Sequence, residues 1–191
     1  MKLHSAPSVK FTYDDLRNFP ADGKRHELID GEHYVTPSPG TEHQIVSMNL
    51  TGALIDFLKH DPLGALFAAP LDVLLSELDV VEPDLFYVSR EHAGLVEEAH
   101  LRGAPDLVVE ILSPGTRKTD EITKRKLYER YGVSEYWVVD AELESIKVYR
   151  RRDEDTFTRA AELSVESGDS LTTPLLPGFS VTLSRIFAPA F

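Results

Sequence analysis

Cysteine is absent from the 191 residues, which removes disulfides, thiolate metal sites and cysteine nucleophiles together. The absence fits a reducing cytoplasm, and a cytoplasmic protein is expected. No window approaches the roughly 18 apolar residues that a membrane-spanning helix needs. The N-terminus, MKLHSAPSVKFTYDD, also lacks an apolar stretch long enough for a signal peptide. The glycines form neither G-x-G-x-x-G nor G-x-x-x-x-G-K-[ST], so nucleotide-dependent chemistry has no phosphate cradle in the sequence. Six of the histidines, His4, His26, His33, His60, His92 and His100, show no zinc-type spacing. Positive charge is scarce as well. Twenty Lys and Arg against 32 Asp and Glu leave a net charge of −12. That argues against general nucleic-acid binding, because phosphate contacts supply most of its affinity.

What is present is ordinary globular material. Hydrophobic residues at 42% and charged residues at 27% supply a real core without disorder or staples. The length fits a single domain over 1–191, with a core at about 25–150 and a C-terminal strand and tail at 151–191. The charge is unevenly spread. The stretch from Arg117 to Arg152 holds ten of the twenty basic residues and seven acids, so it is +3 and the remainder −15. A local basic face and a plain solvated helix with a hairpin are both open readings of that stretch.

Periodicity places the elements. TYDDLRNF reads as a short helix capped by Thr12, with Asp15 three residues on. RHELIDGEHYVTP alternates around Asp30-Gly31, the strongest short hairpin signal. Thr41 is the expected cap of a long helix from Glu42 to about His60, where Val46, Leu50, Leu54, Phe57 and Leu58 recur at helical spacing. ALFAAP, LDVLLS and VVEPDLFYVS are extended runs, and SREHAGLVEEAHLRGA is loop or short helix. DLVVEILSP is nearly all apolar and reads as a central strand covered on both faces. A helix from about Asp120 to Tyr131 should end at Gly132. EYWVVD and SIKVYRRR are two further strands, and the tail adds one more strand or hairpin before PLLPGFSVTLSRIF. The expected architecture is α/β (α+β), one mixed sheet flanked by helices.

Two carboxylates stand inside apolar strands, where charge is costly unless compensated. They are Asp84, in VVEPDLFYV, and Glu110, in DLVVEILSP. On neighbouring strands they can face each other across a ladder and repel unless a cation or a shared proton sits between them. Oxygen ligands without cysteine favour Mg²⁺ or Mn²⁺. Asp120, Lys124, Leu127 and Tyr131 share one face of the following helix. Lys124 could therefore reach the carboxylate pair and hold an attacking water or offset phosphate charge. The plainer alternative is a lysine whose stem covers the core and whose charge stays in water.

The run "ELIDGE…PSP…H…AAPLDV…VEPDLFYV…RGAPDLVVEILSPGT…D…K…LY…YGVSEYWVVD" resembles the Uma-type family of bacterial restriction endonucleases, within the PD-(D/E)XK phosphodiesterase superfamily, over residues 25 to 187. The resemblance implies a restriction-endonuclease-like fold. It sets Asp84 on the Asp of the PD motif and Glu110 on the acidic residue of (D/E)XK. The third place of that motif is Leu112, and the resemblance moves its lysine onto the next helix, where Lys124 fits. Glu27 matches the acid that the superfamily often adds from its first element, although ELIDGE also reads as a plain hairpin strand. His43 and Asp120 fall on family positions too; the plain readings are a cap or packing residue and a first-turn acid favoured by the helix dipole.

Together these imply a Mg²⁺- or Mn²⁺-dependent endonuclease acting on phosphodiester bonds of nucleic acid, DNA favoured. Asp84, Glu110 and the Ile111 carbonyl would be its metal ligands, Lys124 and Glu27 its further catalytic residues, and His43 and Asp120 accessory. The fold also implies a homodimer. Two other readings stand beside it: a non-catalytic nuclease-fold binding or assembly protein, and a phosphodiesterase for nucleotides or other small molecules.

Overall fold

The computed structural model describes residues 9–152 and 156–191; His4 and the start of the N-terminal segment lie outside them. The chain begins with α1 (Tyr13–Leu16), closed by the expected capping box: Asp15 N donates to Thr12 Oγ1 and Thr12 N to the Asp15 carboxylate, the latter at 2.8 Å. The hairpin of β1 (Arg25–Ile29) and β2 (Glu32–Thr36) turns on Asp30 and Gly31. Both have positive φ, 51° and 71°, which a two-residue turn between twisted strands requires. Next comes α2 (Thr41–His60), with Val46, Leu50, Ala53 and Leu54 on its buried side. Its cap is Gly40 and not the expected Thr41, because Gly40 is the residue with extended backbone (φ −76°, ψ 174°) and Thr41 is already helical.

The sheet expected as one is two. β3 (Gly64–Ala68), β4 (Asp72–Ser76), β5 (Asp79–Val81), β6 (Leu85–Ser89), β7 (His100–Arg102) and β8 (Leu107–Ile111) follow in the chain, then β9 (Glu135–Asp140), β10 (Ser145–Arg152) and β11 (Thr156–Ser164). A five-stranded sheet runs β2-β1-β5-β4-β7 and a six-stranded sheet β11-β10-β9-β8-β6-β3. Each is mixed, with β4 parallel to β7 and β8 parallel to β9. VVEPDLFYVS is therefore broken: Pro83 has no N–H to give a ladder, and the chain crosses between sheets at Glu82–Asp84. A small hairpin of β12 (Ser170–Thr172) and β13 (Ser180–Thr182) and the short α4 (Leu183–Ile186) complete the described chain.

Alternation along the six-stranded sheet feeds two cores, as expected of strands covered on both faces. Leu85, Tyr87, Leu107, Val109, Trp137 and Val139 join α2 and the C-terminal elements. Phe86, Val88, Val108, Tyr136 and Val138 pack instead with Val73 and Val81 of the five-stranded sheet and with Leu127 and Tyr128. Glu110 shares the Val108 side of β8, so it points into this second core. The helix expected from Asp120 is in two parts, a π-helix at Thr119–Lys124 and then α3 (Arg125–Tyr131), which ends at Gly132 with φ 89° as anticipated. A 3-10 helix at Arg90–Leu95 fills the stretch after β6.

Candidate functional site

The crossover between the sheets brings the acids together. β6 and β8 are antiparallel with Leu85 opposite Val109, and the next step of that register sets Asp84 beside Glu110. On β1, alternation turns Arg25 and Glu27 to one side, toward the same crossover. All four carboxyls named from the sequence are buried: Glu27 and Glu110 at 2% exposure, Asp84 at 4% and Asp120 at 2%.

Lys124 sits among them, itself only 4% exposed, so its charge is not in water as the plainer reading had it. Its Nζ lies 2.7 Å from Glu27 Oε1, 3.0 Å from Glu110 Oε1 and 3.8 Å from Asp120 Oδ1. Asp120 and Lys124, four residues apart, share one inward face of the π-helical segment. Tyr128, one turn on, donates its Oη to Glu110 Oε1 at 2.7 Å, and the Glu82 amide donates to Glu27 Oε1 at 2.9 Å.

Asp84 is held from the other side. Its Oδ2 accepts from the Ile111 amide at 2.7 Å and faces His43 Nε2 at 3.0 Å. Its Oδ1 faces Arg25 Nη1 at 2.7 Å, but at an angle that leaves this buried oxygen without a hydrogen bond. Ile111 thus lines the site, and its amide is what holds Asp84. Arg25 and Tyr128 were missed in the sequence, although each had a signal: Arg25 is two residues before Glu27 on a strand, and Tyr128 is four after Lys124 on a helix.

The electrostatics follow from burial. Burial raises the Glu110 pKa, and Asp120, Asp84 and Glu27 add to it against Lys124, pushing it up to about 8. Burial likewise lifts Asp120 to about 6 and Glu82, beside Asp72, to about 7. Burial also works against Asp84, but His43, Arg25 and the Ile111 amide outweigh it and hold its pKa below the usual value. For Lys124 burial favours the neutral form, yet Glu110, Glu27 and Asp120 prevail and keep it protonated.

The cluster opens into a cavity of about 220 Å³ roofed by the turns at 36–40 and 113–116. Four carboxyls, Glu27, Asp84, Glu110 and Asp120, face two fixed cations, Arg25 and Lys124. Full ionisation would leave two negative charges uncompensated in a buried place. A proton on Glu110 relieves part of that; a divalent cation would relieve all of it. The donor set, being hard oxygens, suits a hard divalent cation such as Mg²⁺ or Mn²⁺, although Asp84 Oδ1 already faces the Arg25 guanidinium at 2.7 Å. Among the described residues no three His, Asp or Glu side chains already stand as a coordination cage; Lys124 Nζ lies between Glu27 and Glu110, and Arg25 lies on Asp84.

Residues 12–184 match the model of a family described as Uma2, putative restriction endonuclease. The chain also resembles the crystal structure of a putative nuclease belonging to DUF820 from Anabaena variabilis, with a TM-score of 0.74 at 19% identity, covering 93% of this chain and 97% of that one. At that identity the likeness shows the fold. No curated protein matches the chain.

Proposed function

The chain belongs to the Uma2 family of putative restriction endonucleases, and from that premise we propose that it hydrolyses phosphodiester bonds of nucleic acid, DNA before RNA, with a divalent cation at Asp84 and Glu110. The observation that carries the reading is Lys124, buried between Glu27 and Glu110 within reach of both. An ammonium so placed has no role in packing that a leucine would not fill better.

In this reading Asp84 and Glu110 hold Mg²⁺ or Mn²⁺, and Glu27 and Asp120 add negative charge at its rim. The cation supplies positive charge opposite the phosphate and lowers the pKa of a water. Lys124 orients that water through one proton while Glu27 and Glu110 hold the other two. Tyr128 keeps Glu110 in place, and His43 and the Ile111 amide fix Asp84. Cutting both strands of a duplex with one such site per chain calls for two copies, so the working form would be a homodimer. No helix among the described residues is long and apolar enough to cross a membrane; it is the proposed cleavage of DNA that would place the protein in the cytoplasm.

The test is Mn²⁺ titrated into the protein by calorimetry, for wild type, Asp84→Asn and Glu110→Gln. Saturable binding to wild type that is lost in both variants supports the site and makes a substrate screen worthwhile. Binding that is absent, or indifferent to both substitutions, sinks the metal reading. The fold would then serve as a binding or assembly module, a second reading favoured by the way Lys124 and Arg25 already neutralise part of the cluster. Turnover on nucleotide esters but not on polymers would instead mark a small-molecule phosphodiesterase.

A further inference from the structure

The first turn of α2 is uncapped. Gly40 has no side chain to accept from the turn, and no side-chain hydrogen bond closes it. The first amide of the helix to find a partner is Gln44 N, on Gly40 O at 3.1 Å. The amides of Thr41, Glu42 and His43 have none among the described residues, so three donors and the positive end of a 20-residue helix dipole are unspent. A second, independent feature points to the same place. The His43 ring is nine-tenths buried and its Nε2 is engaged by Asp84, while Nδ1 is buried and has no partner. Nδ1 is bonded to the ring carbon that carries Cβ, and His43 lines the same cavity and trough as Gly40, the cap of the first turn. In either protonation state a buried ring nitrogen of this kind requires a hydrogen-bonding partner, and the protein offers none.

Gly40 and His43 line the site cavity, and residues 40–43 together line a larger trough of about 610 Å³ that opens beside it. We propose that the N-terminus of α2, with His43, binds one phosphate group of a ligand entering the site. Its oxygens would take the Thr41, Glu42 and His43 amides, the arrangement by which helix N-termini hold anions generally. The rest of the trough is acidic: Glu42, Asp140 and Glu142 line it, and the one basic residue there, Arg117, is already paired with Asp140 and Glu142. Attraction comes from the backbone, and such a site accepts a single phosphate and not a run of them. The inference rests on α2 and not on the metal reading, because it concerns binding in the absence of any cation.

Gly40 supplies the test. Its backbone is extended, and a Cβ added there meets nothing within 4 Å, so other residues fit. Asp at an N-cap accepts from the amides of N2 and N3, which here are Glu42 and His43. Gly40→Asp therefore sets a carboxylate where the phosphate should bind, while Gly40→Ala leaves the amides free. The experiment is a titration of inorganic phosphate into ¹⁵N-labelled full-length protein in EDTA, followed at the amide resonances of residues 41–43. Wild type and Gly40→Ala should show saturable shifts there, and Gly40→Asp should bind at least about tenfold more weakly while melting no lower than Gly40→Ala. Absent or non-saturable shifts in wild type, or equal affinity in Gly40→Asp and Gly40→Ala, overturn the proposal. Competition by thymidine 5′-monophosphate alone assigns the site to a strand end or a free nucleotide. Competition by the dinucleotide phosphodiester dTpdT as well assigns it to the backbone. Loss of Mn²⁺ binding would leave these results unchanged, so the two proposals fail separately.

Discussion

Replacing Lys124 by Met keeps a straight side chain of similar length and removes one positive charge from among Glu27, Glu110 and Asp120. Removing one partner of a buried charge cluster costs about 3–5 kcal/mol when the carboxyls left behind stay ionised. They can escape by taking up protons, so the cost depends on pH. A carboxyl whose pKa in the fold lies above its unfolded value binds its proton more tightly when folded, and stability then falls as pH climbs between the two values. In the native protein that window runs from the usual 4.5 to about 8 for Glu110 and from 3.8 to about 6 for Asp120. Without Lys124 both upper limits move higher. Lys124 itself stays protonated across this range, so its own titration adds no slope.

The expected result in urea unfolding is a loss of about 3–5 kcal/mol at pH 8. At pH 5 the loss should shrink to about 2 kcal/mol, the worth of the two close hydrogen bonds to Glu27 and Glu110 at about 1 kcal/mol each. Adding Glu27→Gln and Glu110→Gln to the Lys124→Met protein should recover most of the loss at pH 8 and flatten the pH dependence. An equal loss at both pH values, with no recovery in the triple variant, would mean that Lys124 acts through packing alone, and the electrostatic account of the cluster would be wrong.

Asp79 offers a test away from the site. It is buried and accepts from the Asp30 amide (2.8 Å), Ser76 Oγ (3.1 Å), Arg130 Nη2 (3.1 Å) and Tyr131 Oη (2.6 Å), tying the β1–β2 turn to α3. Asp79→Ala should cost about 3 kcal/mol in urea unfolding, and a loss under about 1 kcal/mol would refute that role. Two glycine substitutions should move thermal stability in opposite directions. A Cβ on Gly64 would lie 2.2 Å from the Val88 carbonyl oxygen and 2.7 Å from the Tyr87 hydroxyl, so Gly64→Ala should cost about 2 kcal/mol or more. Gly52, inside α2 with nothing within 4 Å of its Cβ, should gain about 0.5–1 kcal/mol as Ala, and a gain at Gly64 would contradict the packing between β3 and β6.

The sequence carried most of the elements because their signals were local. Asp30-Gly31 marks its turn by the positive φ it demands, Gly132 marks the end of α3 in the same way, and DLVVEILSP is apolar because both its faces are covered. Asp84 and Glu110 stood out as charges in apolar runs and Lys124 by its place on an inward helical face, while Glu27 and Asp120 were marked by the family resemblance; the five do converge. What stayed hidden was non-local. Whether β5 and β6 continue in one sheet depends on partners that Pro83 does not reveal, so two sheets read as one. The π-helix at Thr119–Lys124 has no period distinguishable from 3.6 over six residues. Arg25 and Tyr128 escaped notice because an arginine in a strand and a tyrosine on a helix are ordinary until the neighbouring acids are placed.

The basic stretch from Arg117 to Arg152 bears on how so acidic a chain could handle a polyanion. In the fold its cations are largely engaged: Arg117 with Asp140, Arg130 with Asp30 and Asp79, Lys147 with Glu121 and Arg150 with Glu135. Lys124 is inside the site, and Arg125 lies over the Tyr149 ring. Charges neutralised by neighbours contribute little to the long-range field that draws nucleic acid to a surface, so the +3 of this stretch does little against the −15 of the remainder. Recognition therefore has to be short-ranged, made by groups whose attraction is spent within one hydrogen-bond length. The unpaired amides at the start of α2 are of that kind, and they adjoin the buried carboxylates where the chemistry is proposed to occur. An acidic surface and a phosphate-handling site are compatible in this fold because the positive end of a helix can hold one phosphate without a basic groove around it.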